Sequence, residues 1–248
     1  MAALRSRKPQ GGKVNPMVVQ LPMATEILPP DEGEAEGCVQ CQAGSKLVLF
    51  VTGKCHWGCA YCPLSDNRRE TPDMFANERR CSTWEDVIEE GRAMNATGTG
   101  ITGGDPMLDL ERSLEAIRQL KSAFGPDHHI HLYTSIPIDT KVAGRLAEAG
   151  LDEVRFHLLD LRTTGYVKSI TAAAEAGIIT GVELPCEPDK AEALEKVVRD
   201  LCNLPVSFLN LNELEITIAT RPTWTFAAST WPQGCLRLQR AVLNLVER

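Results

Sequence analysis

Long apolar runs are missing from this sequence, and their absence limits what the protein can be. No stretch approaches the ~18 consecutive apolar residues that a membrane-spanning helix requires. Arg5, Arg7 and Lys8 stand near the start without an apolar segment behind them, so the sequence shows no secretory signal. We therefore expect a cytoplasmic protein with no membrane partner.

An excess of positive charge is also missing. Lysine and arginine number 26 against 33 aspartate and glutamate residues, which gives a formal net charge of −7. Nucleic-acid binding usually depends on a basic surface, so a nucleic-acid partner is not expected. The chain of 248 residues suits one large domain or two small ones.

Cysteine is abundant, with nine residues in all. A disulfide scaffold would be typical of a small secreted chain. This chain is large, its cysteine count is odd and it shows no export signal, so clustered cysteines favour metal binding instead.

The order of predicted elements indicates an α/β fold. Residues 1–45 are acidic and rich in proline, and they are predicted to form a poorly ordered arm. Residues 46–215 alternate short apolar runs with helical patterns, which predicts βαβ units and a parallel sheet. The six predicted strands are 47–52, 97–103, 129–135, 153–159, 178–184 and 206–214. Their number is consistent with an open doubly wound sheet or with a partial (β/α)6 TIM-like barrel.

Polar residues gather at the carboxyl ends of these strands, where α/β folds place their function. The second strand ends in Gly103-Gly104-Asp105-Pro106. The other polar positions are Thr134 and Ser135, Arg155 and His157, Glu183, and Asn210, Asn212, Glu213 and Glu215. A solvated rim would also be polar, so these positions alone do not establish a site.

The segment CHWGCAYC places Cys55, Cys59 and Cys62 directly after the first strand, with the spacing C-x3-C-x2-C. A structural zinc site would need a fourth protein ligand and usually uses paired C-x2-C units. Three thiolates can hold a four-iron cluster and leave one iron without a protein ligand. That open corner would be a place for chemistry.

This cysteine spacing, followed by a glycine pair at the end of the second strand, resembles the radical S-adenosylmethionine superfamily. The run Gly103-Gly104-Asp105-Pro106 is similar to its Gly-Gly-Glu-Pro motif, with aspartate in place of glutamate. The segments VTGKCHWGCAYCP and LNLNELE resemble an archaeal-type branch related to the activating enzyme of pyruvate formate-lyase. The resemblance covers residues 46 to about 215 and implies the partial (β/α)6 barrel.

The resemblance also implies residue roles. Cys55, Cys59 and Cys62 would bind three irons of a [4Fe–4S] cluster, and the fourth iron would bind S-adenosylmethionine. The implied cofactor contacts are Tyr61, Gly103, Gly104, Asp105, Pro106, Thr134, Ser135 and Glu183. Reductive cleavage of S-adenosylmethionine would give a 5′-deoxyadenosyl radical that abstracts hydrogen from an unknown substrate.

Two functional classes are compatible with these features. The first is a radical enzyme that receives electrons from an external ferredoxin or flavodoxin. The second is a non-catalytic iron–sulfur or zinc protein for electron transfer or scaffolding, which would not need the glycine motif. For the first class, Asn212 and Glu213 are candidates to contact the substrate, because Asn210 and Asn212 share the strand face opposite Leu209 and Leu211.

Three other features need an interpretation. Cys38 and Cys41 form a C-x2-C pair that could hold part of a second metal centre, with Cys81 as a further ligand, or could be ordinary thiols. His128, His129 and His131 stand at a strand start, away from the expected site, and are predicted to be core or surface residues. The tail 216–248 has an unusual composition and is either a terminal helix or the product of a reading-frame slip.

Overall fold

The computed structural model describes residues 35–212, and every structural statement below concerns those residues. Most of the predicted arm, the tail 216–248 with its suggested frame slip, Glu213 and Glu215 lie outside them.

One mixed sheet of eight strands forms the centre of the fold, in the order β3-β2-β1-β4-β5-β6-β7-β8. The strands are β1 (Lys46–Phe50), β2 (Met74–Ala76), β3 (Arg79–Cys81), β4 (Gly98–Thr102), β5 (His129–Thr134), β6 (Glu153–Phe156), β7 (Ile179–Pro185) and β8 (Phe208–Asn212). β1 and β4 to β8 pair in parallel. This confirms the α/β class and the six predicted parallel strands.

Six helices accompany the sheet. They are α1 (Glu36–Gln42), α2 (Trp84–Ala93), α3 (Leu110–Phe124), α4 (Thr140–Ala149), α5 (Val167–Glu175) and α6 (Ala191–Leu201). α2 to α6 each follow a strand and pack their apolar faces on one side of the sheet. In the part of the chain that the structure describes, no helix is long and apolar enough to cross a membrane.

Local sequence explains where these helices begin and end. α2 begins at a capping box in which Thr83 and Asp86 bond each other's backbone. α4 ends at Gly150, whose φ of 101° is open to glycine but strained for other residues.

The strands bury different residues on their two faces. On β6, Val154 and Phe156 are fully buried in the apolar core under the helices. Glu153 and Arg155 alternate with them and point to the concave side of the sheet, where both are also buried. The concave side, called the lumen below, is therefore polar although much of it is closed to water.

The short helix α1 lies inside the lumen. A β-carbon on its Gly37 would come within 2.6 Å of both Arg155 and His131. Its Gln40 accepts a hydrogen bond from Lys46 on β1, and its Cys38 accepts one from Asn210 on β8. One helix of seven residues thus touches strands from β1 to β8, so the sheet curls around it. This curvature supports the partial barrel over a flat open sheet, and it assigns this part of the predicted arm to the barrel.

The antiparallel hairpin of β2 and β3 was not predicted. It extends the sheet beyond β1 through pairing of Phe50 with Phe75 and of Leu49 with Ala76. Each of its strands has only three residues, which is too short to give a readable alternation. Its turn at Asn77 has a φ of 52°, a conformation that asparagine tolerates.

Candidate cluster and cofactor site

The three cysteines of the predicted cluster lie in one loop after β1, called the cluster loop below (residues 53–65). Cys55, Cys59 and Cys62 are half-buried free thiols. The backbone N–H of Cys62 donates to the carbonyl of Cys59 at 3.1 Å, which makes a tight turn between the last two cysteines. Burial raises the pKa of the Cys55 thiol, and the nearby Asp105, Cys59 and Cys62 add to this. The three thiols are therefore close enough to influence one another.

This donor set suits a cluster better than a single ion. Within residues 35–212, no three His, Cys, Asp or Glu side chains are arranged around one metal ion. A four-iron cluster makes a different demand, because each thiolate binds a separate iron at a separate corner. Three half-buried thiols in one loop are the type and number of donors that three corners of such a cluster require.

The glycine pair after β4 is attached to the cluster loop. The N–H of Gly104 donates to the carbonyl of Thr52 at 2.7 Å, and the N–H of Asp105 donates to that of Lys54 at 2.8 Å. A β-carbon on Gly104 would lie 2.2 Å from the Lys54 oxygen, and one on Gly103 would lie 2.4 Å from the Thr52 oxygen. Glycine is required here because two backbones meet. Gly103 and Gly104 were also predicted to contact the cofactor, and that contact stays a prediction.

Asp105 faces inward and joins two strand ends. One of its carboxylate oxygens accepts hydrogen bonds from the Thr134 hydroxyl at 2.8 Å and the Met107 N–H at 3.0 Å. The other accepts from the Ser135 N–H at 2.8 Å. Burial raises the pKa of Asp105, while these three hydrogen bonds oppose the rise. The carboxylate that was predicted to contact the cofactor therefore holds the end of β4 to the end of β5 in this structure. Pro106, next to it, begins a short 3-10 turn and is buried.

Tyr61 connects the cluster loop to β6. Its hydroxyl lies 2.7 Å from Nε2 of His157, and Nδ1 of His157 lies 3.2 Å from the Glu183 carbonyl. A carbonyl only accepts, so Nδ1 carries the ring proton and Nε2 accepts from the tyrosine hydroxyl. Burial lowers the pKa of His157, which keeps this neutral tautomer dominant near neutral pH.

A cavity of about 270 Å³ opens between the cluster loop and the ends of β6 and β7. Its lining includes Cys59, Tyr61, His157, Asp160 and Glu187. Asp160 and Leu161, in the loop after β6, both have positive φ values of 54° and 52°. Such strain in non-glycine residues is common beside functional sites. The cavity therefore borders Cys59 on the side of the cluster loop that faces the ends of β6 and β7.

The lumen side of β6 to β8 carries a connected polar network. Nη1 of Arg155 donates to Glu183 at 2.8 Å, and Nε of the same guanidinium is paired with Glu153. The amide nitrogens of Asn210 and Asn212 donate to Glu183 at 3.1 and 2.8 Å. The structure therefore brings the predicted residues Glu183 and Asn212 together, at the carboxyl ends of neighbouring strands.

The amino-terminal end of the lumen is closed by buried ionisable groups. Nζ of Lys46 lies 2.7 Å from Nδ1 of His129, and burial lowers the lysine pKa to about 8. Burial also lowers the pKa of His128 and of His129 to about 4, and it lowers that of His131 further. All three histidines are buried and remote from the cluster loop, which confirms their interpretation as core residues.

The other cysteines do not assemble with one another. Cys38 accepts hydrogen bonds from Arg155 at 3.4 Å and from Asn210 at 3.2 Å, inside the lumen. Cys41 is exposed, and Cys81 is buried on β3 with its thiol against the Arg79 carbonyl. No set of three metal-binding side chains involving them occurs between residues 35 and 212. The hydrogen bonds of Cys38 and Cys81 to protein groups are those of ordinary thiols, one of the two interpretations that the sequence left open.

Sequence reasoning did not identify Glu153 as part of the site. Glu153, Arg155 and His157 occupy alternate positions on β6 and just beyond it, with apolar residues between them. This period-two pattern was recognised only for Arg155 and His157. Extending it by one step toward the strand start would have included Glu153.

Comparison with known proteins agrees with this geometry. The family model described as the Radical SAM superfamily matches residues 49–174. A protein of Methanocaldococcus jannaschii that is named as a glycyl-radical enzyme activating enzyme is 36% identical over 191 residues. That alignment spans 73% of this chain and 50% of the relative. The chain thus covers only half the length of that relative.

Solved structures share the fold at low identity. Streptococcus suis SuiB bound to S-adenosylmethionine aligns with a TM-score of 0.61 at 15% identity, over 82% of this chain and 48% of SuiB. Methylornithine synthase (PylB) aligns with a TM-score of 0.59 at 14% identity, over 79% of this chain and 62% of that enzyme. The cluster loop lies within the matched segment, after the first parallel strand of the barrel that these structures share. The chain belongs to the Radical SAM superfamily.

Proposed function

We propose that this protein cleaves S-adenosylmethionine reductively at a [4Fe–4S] cluster held by Cys55, Cys59 and Cys62. The observation that carries the proposal is the loop of three half-buried thiols beside a cavity that has Cys59 in its wall. When bound, the cluster supplies the electron that breaks a carbon–sulfur bond of the sulfonium and so gives the 5′-deoxyadenosyl radical.

The chain's own residues position and enclose this chemistry. Tyr61 fixes the cluster loop against His157, and the backbone of Gly104 and Asp105 fixes its start. Half-buried, neutral His157 and the buried side chain of Leu158 limit water at this side of the cavity. Gly103 lines a second cavity, next to Cys62. Backbone groups at Gly103 and Gly104, with Thr134 and Ser135 at the end of the next strand, are proposed to contact the methionine part of the cofactor from that side of the cluster loop.

The relative named as an activating enzyme suggests the wider role. We propose that hydrogen abstraction from a second reactant follows cofactor cleavage, and that a ferredoxin or flavodoxin delivers the electron. A protein substrate is the reaction class that the relative's name describes.

The direct test is anaerobic reconstitution followed by product analysis. The protein should bind about four irons per chain, as a four-iron cluster requires. With dithionite as reductant it should convert S-adenosylmethionine to 5′-deoxyadenosine and methionine. Iron bound without formation of 5′-deoxyadenosine would instead support an electron-transfer role.

A matched set of cysteine variants identifies the ligands. Replacing Cys55, Cys59 and Cys62 by alanine should remove the cluster absorbance and the cleavage activity. Cys202→Ala is the control, because Cys202 is an exposed thiol at the end of α6. Full iron content in the triple variant would refute the ligand assignment.

A further inference from the structure

The mouth of the lumen lies at the carboxyl ends of β6 to β8. The polar network there contains a carboxylate that is fixed by hydrogen bonds but keeps some acceptor capacity. Glu183 lies on β7 in register with Asn210 on β8. Its side chain is 17% exposed, whereas that of its partner Arg155 is 3% exposed. The carboxylate therefore stands at the boundary between the closed part of the lumen and the open mouth.

Three donors fix the orientation of Glu183. Arg155 and Asn210 donate to Oε2 at 2.8 and 3.1 Å. Asn212 donates to Oε1 at 2.8 Å. The Arg155 side chain is itself restrained, because its Nε is paired with buried Glu153 and its Nη1 also contacts the Tyr133 hydroxyl at 3.1 Å. It therefore restrains the carboxylate of Glu183. Such an anchored carboxylate is preorganised for a ligand.

Both asparagine amides direct their oxygens away from Glu183. A carboxylate can only accept, so the atoms of Asn210 and Asn212 that face Glu183 are the NH₂ groups. The two Oδ1 atoms are therefore acceptors that do not face the Glu183 carboxylate. Together with the remaining acceptor capacity of Glu183 Oε1, they make the end of β8 a surface that accepts hydrogen bonds.

Of the two carboxylates that share Arg155, only Glu183 reaches the mouth. The guanidinium is paired with Glu153 and with Glu183. Lys46 interacts electrostatically with Glu153 at the opposite, buried end of the lumen, where burial raises the pKa of the Glu153 carboxyl. Glu183 is therefore the carboxylate that a cationic ligand can approach from the mouth.

We propose that Glu183, Asn210 and Asn212 bind a protonated amine or guanidinium on the second reactant, a role that rests on the proposed function. An ammonium group offers three N–H donors in addition to its charge, and this site supplies acceptors for them. The α-amino group of S-adenosylmethionine would be held by the fourth iron of the cluster, as the family resemblance implies, which leaves the sulfonium as the cofactor's other cationic group. It has no N–H group, so it would leave both amide oxygens unused.

The experiment uses a simple cation and its uncharged match as probes. Saturation-transfer NMR is recorded on the anaerobic holoenzyme loaded with S-adenosylmethionine, without reductant, with n-butylamine or N-butylacetamide. At about pH 7.5 the amine is protonated. Its signal should exceed that of the amide about tenfold, as expected when a charged hydrogen-bond donor is exchanged for a neutral one.

Three variants separate the possible origins of that signal. Glu183→Gln should lower the amine signal about tenfold, to the level of the amide, because the charge is removed. Asn212→Leu should lower it about threefold by removing one acceptor, while it leaves the pair of Arg155 and Glu183 intact. Glu175→Gln makes the same charge change on the exposed face of α5 and should have no effect.

Several outcomes would overturn the proposal. They are equal signals from the two probes, an unchanged amine signal in both Glu183→Gln and Asn212→Leu, or a Glu183→Gln variant that loses affinity only for S-adenosylmethionine. Asn212→Leu keeps the test decisive if Glu183→Gln does not fold. Failure of the wild-type protein to form 5′-deoxyadenosine would refute the proposed function separately, since the probe measurement needs no turnover.

Discussion

The hydroxyl of Tyr61 lies 2.7 Å from Nε2 of His157, and this contact joins the cluster loop to the end of β6. Replacing Tyr61 by phenylalanine removes a half-buried hydrogen bond worth about 1 kcal/mol. We expect the cluster to remain and the affinity for S-adenosylmethionine to fall about fivefold, because the cavity wall is less well fixed. Tyr133→Phe removes the same atom deeper in the lumen and should leave this affinity unchanged. Equal loss in both variants would contradict a specific role for the Tyr61 contact.

A substitution at Asp105, which follows the glycine pair, tests whether its carboxylate stabilises the fold or binds the cofactor. Its two oxygens accept three hydrogen bonds. Asp105→Asn turns an NH₂ group toward one of these donors and should lower the free energy of unfolding by about 1–3 kcal/mol. Denaturant titration of the anaerobic protein measures this loss. Unchanged stability with a large loss of cofactor affinity would show that the carboxylate binds the cofactor.

Gly104 should tolerate no side chain at all. A β-carbon there would meet the Lys54 oxygen at 2.2 Å, so Gly104→Ala must displace the start of the cluster loop. We expect both the iron content and the cofactor affinity to fall. Gly58→Ala is the control in the same loop, because no atom lies within 4 Å of its added carbon. Normal iron content in Gly104→Ala would show that the two backbones can separate without effect on the cluster.

Cys38 and Cys41 should not contribute to iron binding. Cys38 serves as an acceptor for Arg155 and Asn210, and Cys41 is exposed. A double variant with serine at both positions should therefore retain the wild-type iron content of about four per chain. Iron and sulfide analysis after reconstitution measures this. A wild-type content near eight that falls by half in the double variant would establish a second cluster.

The buried histidines predict how stability depends on pH. The pKa of His128 is lowered by burial to about 4 in the folded protein, against about 6.5 in an unfolded chain. The unfolded state therefore binds more protons between these values, so stability falls as the pH is lowered from about 6.5 to about 4.

His128→Gln tests this dependence. The variant can keep a hydrogen bond to the Thr99 hydroxyl, which lies 2.8 Å from Nε2 of the histidine. It should reduce the slope of unfolding free energy against pH by up to about 1.4 kcal/mol per pH unit, the value for one proton. Denaturant unfolding at several pH values gives the slope. Loss of the cluster in acid should affect the wild type and the variant alike, so it does not alter the comparison. An identical slope in the two proteins would contradict a neutral His128.

Prediction from the sequence succeeded where a pattern was long or chemically distinctive. The parallel strands repeat apolar runs between helices, and Cys55, Cys59 and Cys62 have a spacing that few other sites share. The hairpin at 74–81 was missed because each of its strands is only three residues long. α1 was missed because its seven residues lie in a segment rich in acidic residues and proline and have no side-chain cap.

Contacts between distant residues could not be predicted in the same way. The sequence places Asp105 after the glycine pair, but the inward turn of its carboxylate depends on Thr134 and Ser135 at the end of another strand. The association of Glu183 with Asn210 and Asn212 depends likewise on the register between β7 and β8. Strand register is set by the whole packed sheet, so no local pattern reveals it.

The pairing of Glu153 with Arg155 also limits how this protein can diverge from its relatives. Both side chains are almost fully buried, and loss of either alone would leave an uncompensated charge, at a cost of about 3–5 kcal/mol. A lineage that changes one residue must therefore change the other almost simultaneously, or pass through an unstable ancestor. Two apolar residues could replace the pair, but they would release Glu183 from its anchor. Relatives that contain both Glu153 and Arg155 are therefore expected to keep the same arrangement of Glu183 at the mouth of the lumen.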